Sequence, residues 1–587
     1  MKKFLLFAFA ILSFHAKSQD LVPYGIDLLG RQNEFPVELQ NQNIFNLIYT
    51  PPAAQNIRTA AQFEQMQGVT ITWTSYTHIL SQIVKGAQTE VTVYIVCTDS
   101  NAVKTYLTSQ SVPLTNVKYL QYGFNTIWAR DYGMNTIYLN RVDSLSFVDW
   151  RYNRPRPKDD TIPYGLARML GVPVYSTSQT GGNYLVNTGG NFMSDGQGTA
   201  FASKLILSDN LPGAGYGGNA TEAQIDSMMK NYQGINRYIK MDVLPYDGIH
   251  HIDMHMKLLD EETLLIGQYP TGVADGPQIE ANIAYIQNNF MDCYGRPYKI
   301  IRIPQPSDNG SWPSGSGRYL TYTNGIILNH TVIYPHYQIA SDAIADSIWH
   351  LAMPGYRLWP INCGTGSDNI ISQSGAIHCI THEMGVNEPI LISHAHLYDT
   401  YNYTNPYPIV AKVETRSGVS AANLYWSIDT TIGYTMVSMT AMANDSFIAN
   451  IPAQPVGTKI FYYIEATSLS GKTNRRPMVA PDGVFEFRVF DVASAPNISA
   501  MLTTLFNPFP NPANENTVVG FNLMKEENCQ LGIYDLSGRL ISNLLDEKIS
   551  AGTHQYELTT ENISSGTYLL TLKAGNFTAT KKLMVIK

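Results

Sequence analysis

Five cysteines in 587 residues (Cys97, Cys293, Cys363, Cys379, Cys529) are too few and too scattered for a disulfide framework to hold the chain together, and their odd count leaves at least one thiol free. Charge is sparse too: Asp, Glu, Lys and Arg make up 15% of the residues against 44% hydrophobic ones, which leaves ample apolar surface for real cores. Basic residues do not outnumber acidic ones (39 against 47, net charge −8), so the basic patch of a nucleic-acid binder is missing. Beyond the N-terminus there is no apolar run long enough to be a membrane helix.

What is present begins with Lys2 and Lys3 before an apolar run over 4–14, then Ala16-Lys17-Ser18 with small residues where a signal peptidase reads. The run is too short to span a bilayer, so residues 1–18 are expected to be a removed signal peptide and the mature protein to be exported and soluble.

The length suggests about three or four domains. Over residues 19–400, short apolar runs (91–96, 326–328, 390–392) alternate with helical patterns (221–232, 278–289), which predicts an α/β unit. Residues 401–492 turn strand-like, as in Lys459-Ile460-Phe461-Tyr462-Tyr463-Ile464, and predict an immunoglobulin-like β-sandwich. A linker over 493–504 leads to a small all-β unit of short strands over 505–587.

Candidate chemistry centres on Cys379, carried by Ser374-Gly375-Ala376-Ile377-His378-Cys379-Ile380-Thr381, a small-residue turn that can present a nucleophile. Alone it would more often be a buried structural thiol. Four other segments supply companions: Trp128-Ala129-Arg130-Asp131, Gly189-Gly190-Asn191, His250-His251-Ile252-Asp253 and Tyr322-Thr323-Asn324. Together they suit a planar guanidinium, which needs fixed carboxylates offering paired acceptors. Asp131 and Asp253 are the carboxylates chosen, each contributing on the order of 4 kcal/mol of attraction at ~4 Å before desolvation. Cys379 would attack the guanidino carbon, forming a thiouronium and releasing ammonia. His251, placed with Asp253 on one face of an expected strand, would carry the protons. Asn324 would orient the reacting group or Cys379, unless it is simply a turn asparagine.

These segments resemble the agmatine deiminase and Porphyromonas-type peptidylarginine deiminase family of guanidine-modifying enzymes. The likeness rests on Trp128-Ala129-Arg130-Asp131-Tyr132-Gly133, Gly189-Gly190-Asn191-Phe192 with Asp195-Gly196-Gln197-Gly198-Thr199, His251-Ile252-Asp253, Tyr322-Thr323-Asn324 and Ile377-His378-Cys379-Ile380-Thr381. It implies a five-fold pseudo-symmetric α/β propeller, with Cys379 as nucleophile, His251 as acid/base, Asp131 and Asp253 on the guanidinium, Asn324 as a further polar residue and Trp128 as an apolar wall. No cofactor and no metal are implied.

On the substrate, Tyr152-Asn153-Arg154-Pro155-Arg156-Pro157 is similar to the peptidylarginine branch, where such an arginine pair reads a terminal carboxylate. The alternative is a solvated basic loop partly neutralised by Asp159 and Asp160. Thr188, where agmatine deiminases tend to have an acidic residue, also leans away from agmatine. The expected reaction is therefore deimination of arginine in a peptide or protein, preferably C-terminal, with agmatine as the alternative. Two rivals are a metallohydrolase using His251, Asp253 and His255 along one strand face, with His250 nearby, and a non-catalytic surface adhesin.

The C-terminal unit resembles the sorting domain of the type IX secretion pathway, through Phe509-Pro510-Asn511-Pro512, Ile533-Tyr534-Asp535-Leu536-Ser537-Gly538-Arg539, Ser564-Ser565-Gly566-Thr567-Tyr568 and the closing Lys581-Lys582-Leu583-Met584-Val585-Ile586-Lys587. That likeness implies the secretion machinery as a partner, loss of the tail, and release or surface attachment.

Overall fold

The computed structural model describes residues 47–587 except 55, 179–182, 309–317, 491–502 and single positions at 507, 509–510, 512, 514–515, 524, 551, 576 and 587. The expected signal peptide, most of the linker, and Phe509, Pro510 and Pro512 lie outside the described residues. Within them the chain is mixed α/β followed by a β-rich C-terminal region.

One module recurs through the α/β unit: an antiparallel strand pair, then a helix, then a strand parallel to the second of the pair. It is seen in Asn135–Leu139, Ser144–Asp149, the helix Ile162–Leu170 and Val174–Ser176. It recurs in Met193–Ser194, Thr199–Ser203, the helix Glu222–Gln233 and Arg237–Met241. Met256–Leu258, Thr263–Gln268, the helix Gly276–Asn289 and Lys299–Pro304 repeat it, as do Ile326–Leu328, Thr331–His336, the helix Ser341–Ala352 and Arg357–Asn362. The fifth copy joins the two ends of the unit, since His382–Gly385 pairs antiparallel with Met66–Thr72, which runs parallel to Thr92–Cys97. Pairing His382–Gly385 with Met66–Thr72 closes the unit and puts Met66–Thr72 inside its sheet, between His382–Gly385 and Thr92–Cys97.

Local sequence explains the helix limits. Thr221 and Gln224 form a reciprocal cap at the start of Glu222–Gln233, and Gly234 at φ 68° ends it in the left-handed region. One large apolar core, with Ile71, Ile95, Ile266, Ile333 and Tyr322, joins these sheets.

The strand Leu391–Ser393, expected inside the α/β unit, pairs instead with Tyr407–Glu414 of the next unit. Ile392, with Ile390 just before the strand, packs into the core of that unit, around Ile409, Leu424, Ile451 and Ile464. The unit consists of two antiparallel sheets, one ordered Leu391–Ser393, Tyr407–Glu414, Ser446–Ile451, Thr440–Ala441 and the other built on Val419–Ser427 and Lys459–Ser468. It is tied to the α/β unit by a bidentate Arg141–Glu414 pair (2.7 and 2.8 Å), by Arg476 on Glu261, and by His396 on Glu262. The final unit has its own core around Val519, Phe521, Leu531 and Leu570, and six of its strands run eight to ten residues, from Asn516–Leu523 to Phe577–Val585, longer than expected. Among the described residues no helix is long and apolar enough to cross a membrane.

Candidate active site

Cys379 sits on a 3-10 turn, His378–Ile380, fully buried. Gly375 makes the turn possible by close approach: a Cβ there would come within 2.4 Å of the Trp128 ring and 3.2 Å of the Cys379 Cβ. Gly375 thus lies between the Trp128 ring and Cys379.

Asn324 joins two strings of the site. Its Oδ1 accepts from the His378 amide (3.0 Å) and the Cys379 amide (3.4 Å), and its Nδ2 donates to the Asp253 carbonyl (3.2 Å) and lies 3.2 Å from Cys379 Sγ. The Ala376 amide also points at that sulfur.

Asp253 stands on a second 3-10 turn, Ile252–Met254, immediately preceded by His251. The strand expected for His251 and Asp253 does not form: His250, at φ 57°, reverses the chain, and its carbonyl accepts from Ser203 Oγ at 2.7 Å. The turn rather than alternation brings the two side chains to the site. It equally removes the alternating His251, Asp253 and His255 face on which a metal site was conceived, and among the described residues no group of three His, Cys, Asp or Glu is placed to hold a metal ion.

Asp253 Oδ2 lies 2.7 Å from His378 Nδ1 and 3.6 Å from Cys379 Sγ, whereas Oδ1 has no hydrogen-bond partner among the described residues. Asp131, on the short helix Ala129–Tyr132, accepts from Thr188 Oγ1 (2.8 Å) and Tyr152 OH (3.4 Å), and lies 3.5 Å from His251 Nδ1. Gly190 allows this proximity, because a Cβ there would meet His251 Nδ1 at 2.5 Å and Asp131 Oδ1 at 3.1 Å.

Electrostatics follow from burial without water. Burial, reinforced by Asp131, pushes the Asp253 carboxyl up to about 8. Burial also raises Asp131, against Thr188 and the positive charges of Arg154 and Arg156. The Cys379 thiol is held well above its ordinary value, by burial first and then by Asp253 and Asp131. All three shifts favour the neutral forms in the free site, and a cation bound among these groups would reverse them together.

Arg154 and Arg156 are 2% and 4% exposed. The solvated loop is therefore not what forms: Asp159 accepts from the backbone of Asn125 and Thr126, and Asp160 pairs with Arg151. Arg156 Nη1 donates to Tyr152 OH at 2.8 Å, so Arg156 and Asp131 share one tyrosine.

Sequence reasoning missed a buried charged group behind the site. Arg130 grips Glu383, and these two, with Gln62, His378 and Lys257, line one internal cavity. Burial and Arg130 bring the Lys257 ammonium down to about 7. Charged residues inside otherwise apolar runs, Lys257 between Met256 and Leu258 above all, were the signal available.

Residues 41–385 match the family model described as Porphyromonas-type peptidyl-arginine deiminase, and residues 507–587 match a secretion system C-terminal sorting domain. A Shewanella baltica (strain OS185) protein named "Putative agmatine deiminase" is 26% identical over 309 residues, 47% of this chain and 78% of that protein. A Legionella pneumophila (strain Philadelphia 1) protein of the same name is 26% identical over 288 residues, 46% of this chain and 75% of its own. Among solved structures, an agmatine deiminase of Enterococcus faecalis is 18% identical, covering 56% of this chain and 96% of its own, with a TM-score of 0.48.

Proposed function

Because the chain belongs to the Porphyromonas-type peptidyl-arginine deiminase family, we propose that it is an exported hydrolase that converts the arginine guanidino group to a ureido group and ammonia, with C-terminal arginine of peptides or proteins as preferred substrate. One observation carries the reading: Cys379 Sγ, Asp253, Asp131 and His251 converge in a buried site that holds the thiol and both carboxyls above their ordinary values.

The guanidinium enters with its N–H groups toward Asp131 and Asp253 Oδ1, and its charge draws down both carboxyls and the Cys379 thiol together. Cys379 gives its proton to His251, and the resulting thiolate, with Asn324 Nδ2 and the Ala376 amide beside it, attacks the guanidino carbon. His251 gives a proton to the departing amine, and ammonia leaves a thiouronium on Cys379. His251 then takes a proton from water as it adds, and collapse expels the thiolate and frees the citrulline product.

The recurring five modules support reading the α/β unit as a five-bladed propeller. The two facing sheets after it support an immunoglobulin-like sandwich, and the sorting domain supports passage by type IX secretion to the medium or cell surface. Arg154 and Arg156 are read as the carboxylate clamp, since both act on Asp131 at one end of the site. Thr188 carries a hydroxyl rather than a carboxylate there. The names of the curated relatives favour agmatine as the second reading.

A citrulline and ammonia assay comparing agmatine, free arginine, and peptides with internal or terminal arginine tests the proposal. Turnover of the C-terminal arginine peptide well above agmatine is expected. Equal turnover of both removes the clamp, and no product from any of them removes the activity.

A further inference from the structure

Behind the site a hydrogen-bonded chain ends on the substrate-binding carboxylate. Arg130 holds Glu383 with both of its terminal nitrogens. Glu383 Oε2 accepts from Gln62 Nε2 at 2.8 Å, and the same amide nitrogen lies 3.0 Å from His378 Nε2. The Gln62 oxygen takes the Ile327 amide at 3.4 Å, which fixes the orientation of the side chain. An amide NH2 is a donor only, so His378 Nε2 must be the acceptor and the ring proton must reside on Nδ1. Nδ1 is the atom 2.7 Å from Asp253 Oδ2.

We propose that His378 is a positioning residue for Asp253: Gln62 fixes it as the neutral Nδ1–H tautomer, which occupies Asp253 Oδ2 and presents Oδ1 to the substrate. The assignment rests on the reading of Asp253 as the guanidinium anchor, and it deepens that reading by separating the roles of two histidines. His251 moves protons; His378 moves none.

The surroundings agree. The groups facing Asp253 and His378 are Asp131, Arg130, Lys257, His382, Glu383 and Cys379. Burial, then the positive charges of Arg130 and Lys257, hold the His378 ring well below its ordinary value, which favours the neutral ring. A neutral donor on Oδ2 leaves the proton of the substrate-free Asp253 on Oδ1, the oxygen without a partner among the described residues. An arriving guanidinium displaces that proton from the atom it binds.

Two measurements test this. In the intact protein labelled with 15N-histidine, the His378 ring, assigned by its loss in His378→Asn, should show a protonated Nδ1 and an unprotonated Nε2. The opposite tautomer, or a doubly protonated ring at neutral pH, overturns the proposal whatever the substrate is. Kinetically, Asn at 378 can keep a donor near the Nδ1 position and Leu cannot. His378→Leu should raise KM for the arginine substrate at least tenfold, with a smaller effect on kcat, and should shift the acidic limb of kcat/KM to higher pH. His378→Asn should recover most of both effects. Equal impairment of the two variants, or an unshifted acidic limb in His378→Leu, overturns it. If His378→Leu fails to fold, Gln62→Met leaves the imidazole in place and should lose the unique tautomer; an unchanged tautomer then overturns the proposal. Absence of activity in the parent enzyme sinks only the functional reading, since the tautomer is read without turnover.

Discussion

Asn324 Nδ2 lies 3.2 Å from Cys379 Sγ while Oδ1 of the same side chain accepts the amides of His378 and Cys379. One amide therefore both shapes the nucleophile turn and points a donor at the sulfur. Asn324→Asp keeps the acceptor and replaces the donor with oxygen. A hydrogen bond to a charged group is worth about 1.5–3 kcal/mol, so kcat should fall roughly 10- to 150-fold while the far-UV spectrum and substrate binding stay near those of the parent. Steady-state kinetics and circular dichroism check this, and an unchanged kcat would remove the donor role.

Cys379→Ala should abolish citrulline formation yet still bind substrate, because Asp131 and Asp253 remain. In the parent enzyme, rapid acid quenching followed by mass spectrometry should find substrate mass, less ammonia, on the peptide containing Cys379. A Cys379→Ala protein that still makes citrulline sinks the mechanism.

Asp253, raised to about 8 by burial and Asp131, sets the pH behaviour. Below that value the free enzyme holds a proton where the guanidinium must bind, so kcat/KM should drop as pH falls below about 8. Calorimetry at pH 7 in buffers of different ionisation enthalpy should detect proton release on binding a guanidinium ligand. The linkage to stability has the opposite sense. The folded group binds more protons than the unfolded one between the unfolded carboxyl value and about 8, so its contribution is full in acid and is lost as pH rises through about 8. Glu261, also raised to about 8 by burial, adds in the same direction. Thermal melts of Asp253→Asn should show a weaker loss of stability between pH 6 and 9 than the parent.

Arg154→Gln and Arg156→Gln separate the two substrate readings. Each should raise KM for a peptide ending in arginine by about 10-fold or more, one charged hydrogen bond's worth, and leave agmatine turnover within a few-fold. Parallel losses on both substrates would place the arginines in general support of Asp131 instead.

The Glu261–Arg476 pair ties the two-sheet unit to the α/β unit, with Glu261 buried and Arg476 partly buried. Arg476→Ala leaves the buried Glu261 carboxyl without its partner and should cost about 1–3 kcal/mol of stability, seen as a lower midpoint in denaturant. The Glu261→Gln, Arg476→Met double variant should recover part of that loss.

Sequence alone determined the residue types of the site. A thiol, two carboxylates, an imidazole and an amide, spread from Asp131 to Cys379, carry their chemistry in their side chains, and their motifs survive as local text. It also made the helical and strand periodicities of the α/β unit legible, because burial of one face writes a period into the chain. Leu391–Ser393 was misplaced because an apolar triplet does not say which core receives it. His251 and Asp253 were put on a strand because alternation over three residues cannot be told from a 3-10 turn, and the left-handed His250 that decides it has no signature in its side chain. Only the tertiary structure brought Gln62 and Glu383, 321 residues apart, to one end of a chain that ends on Asp253. Burial away from water is what turns those contacts into carboxyls and a thiol held above their ordinary values and a His378 ring held below its own.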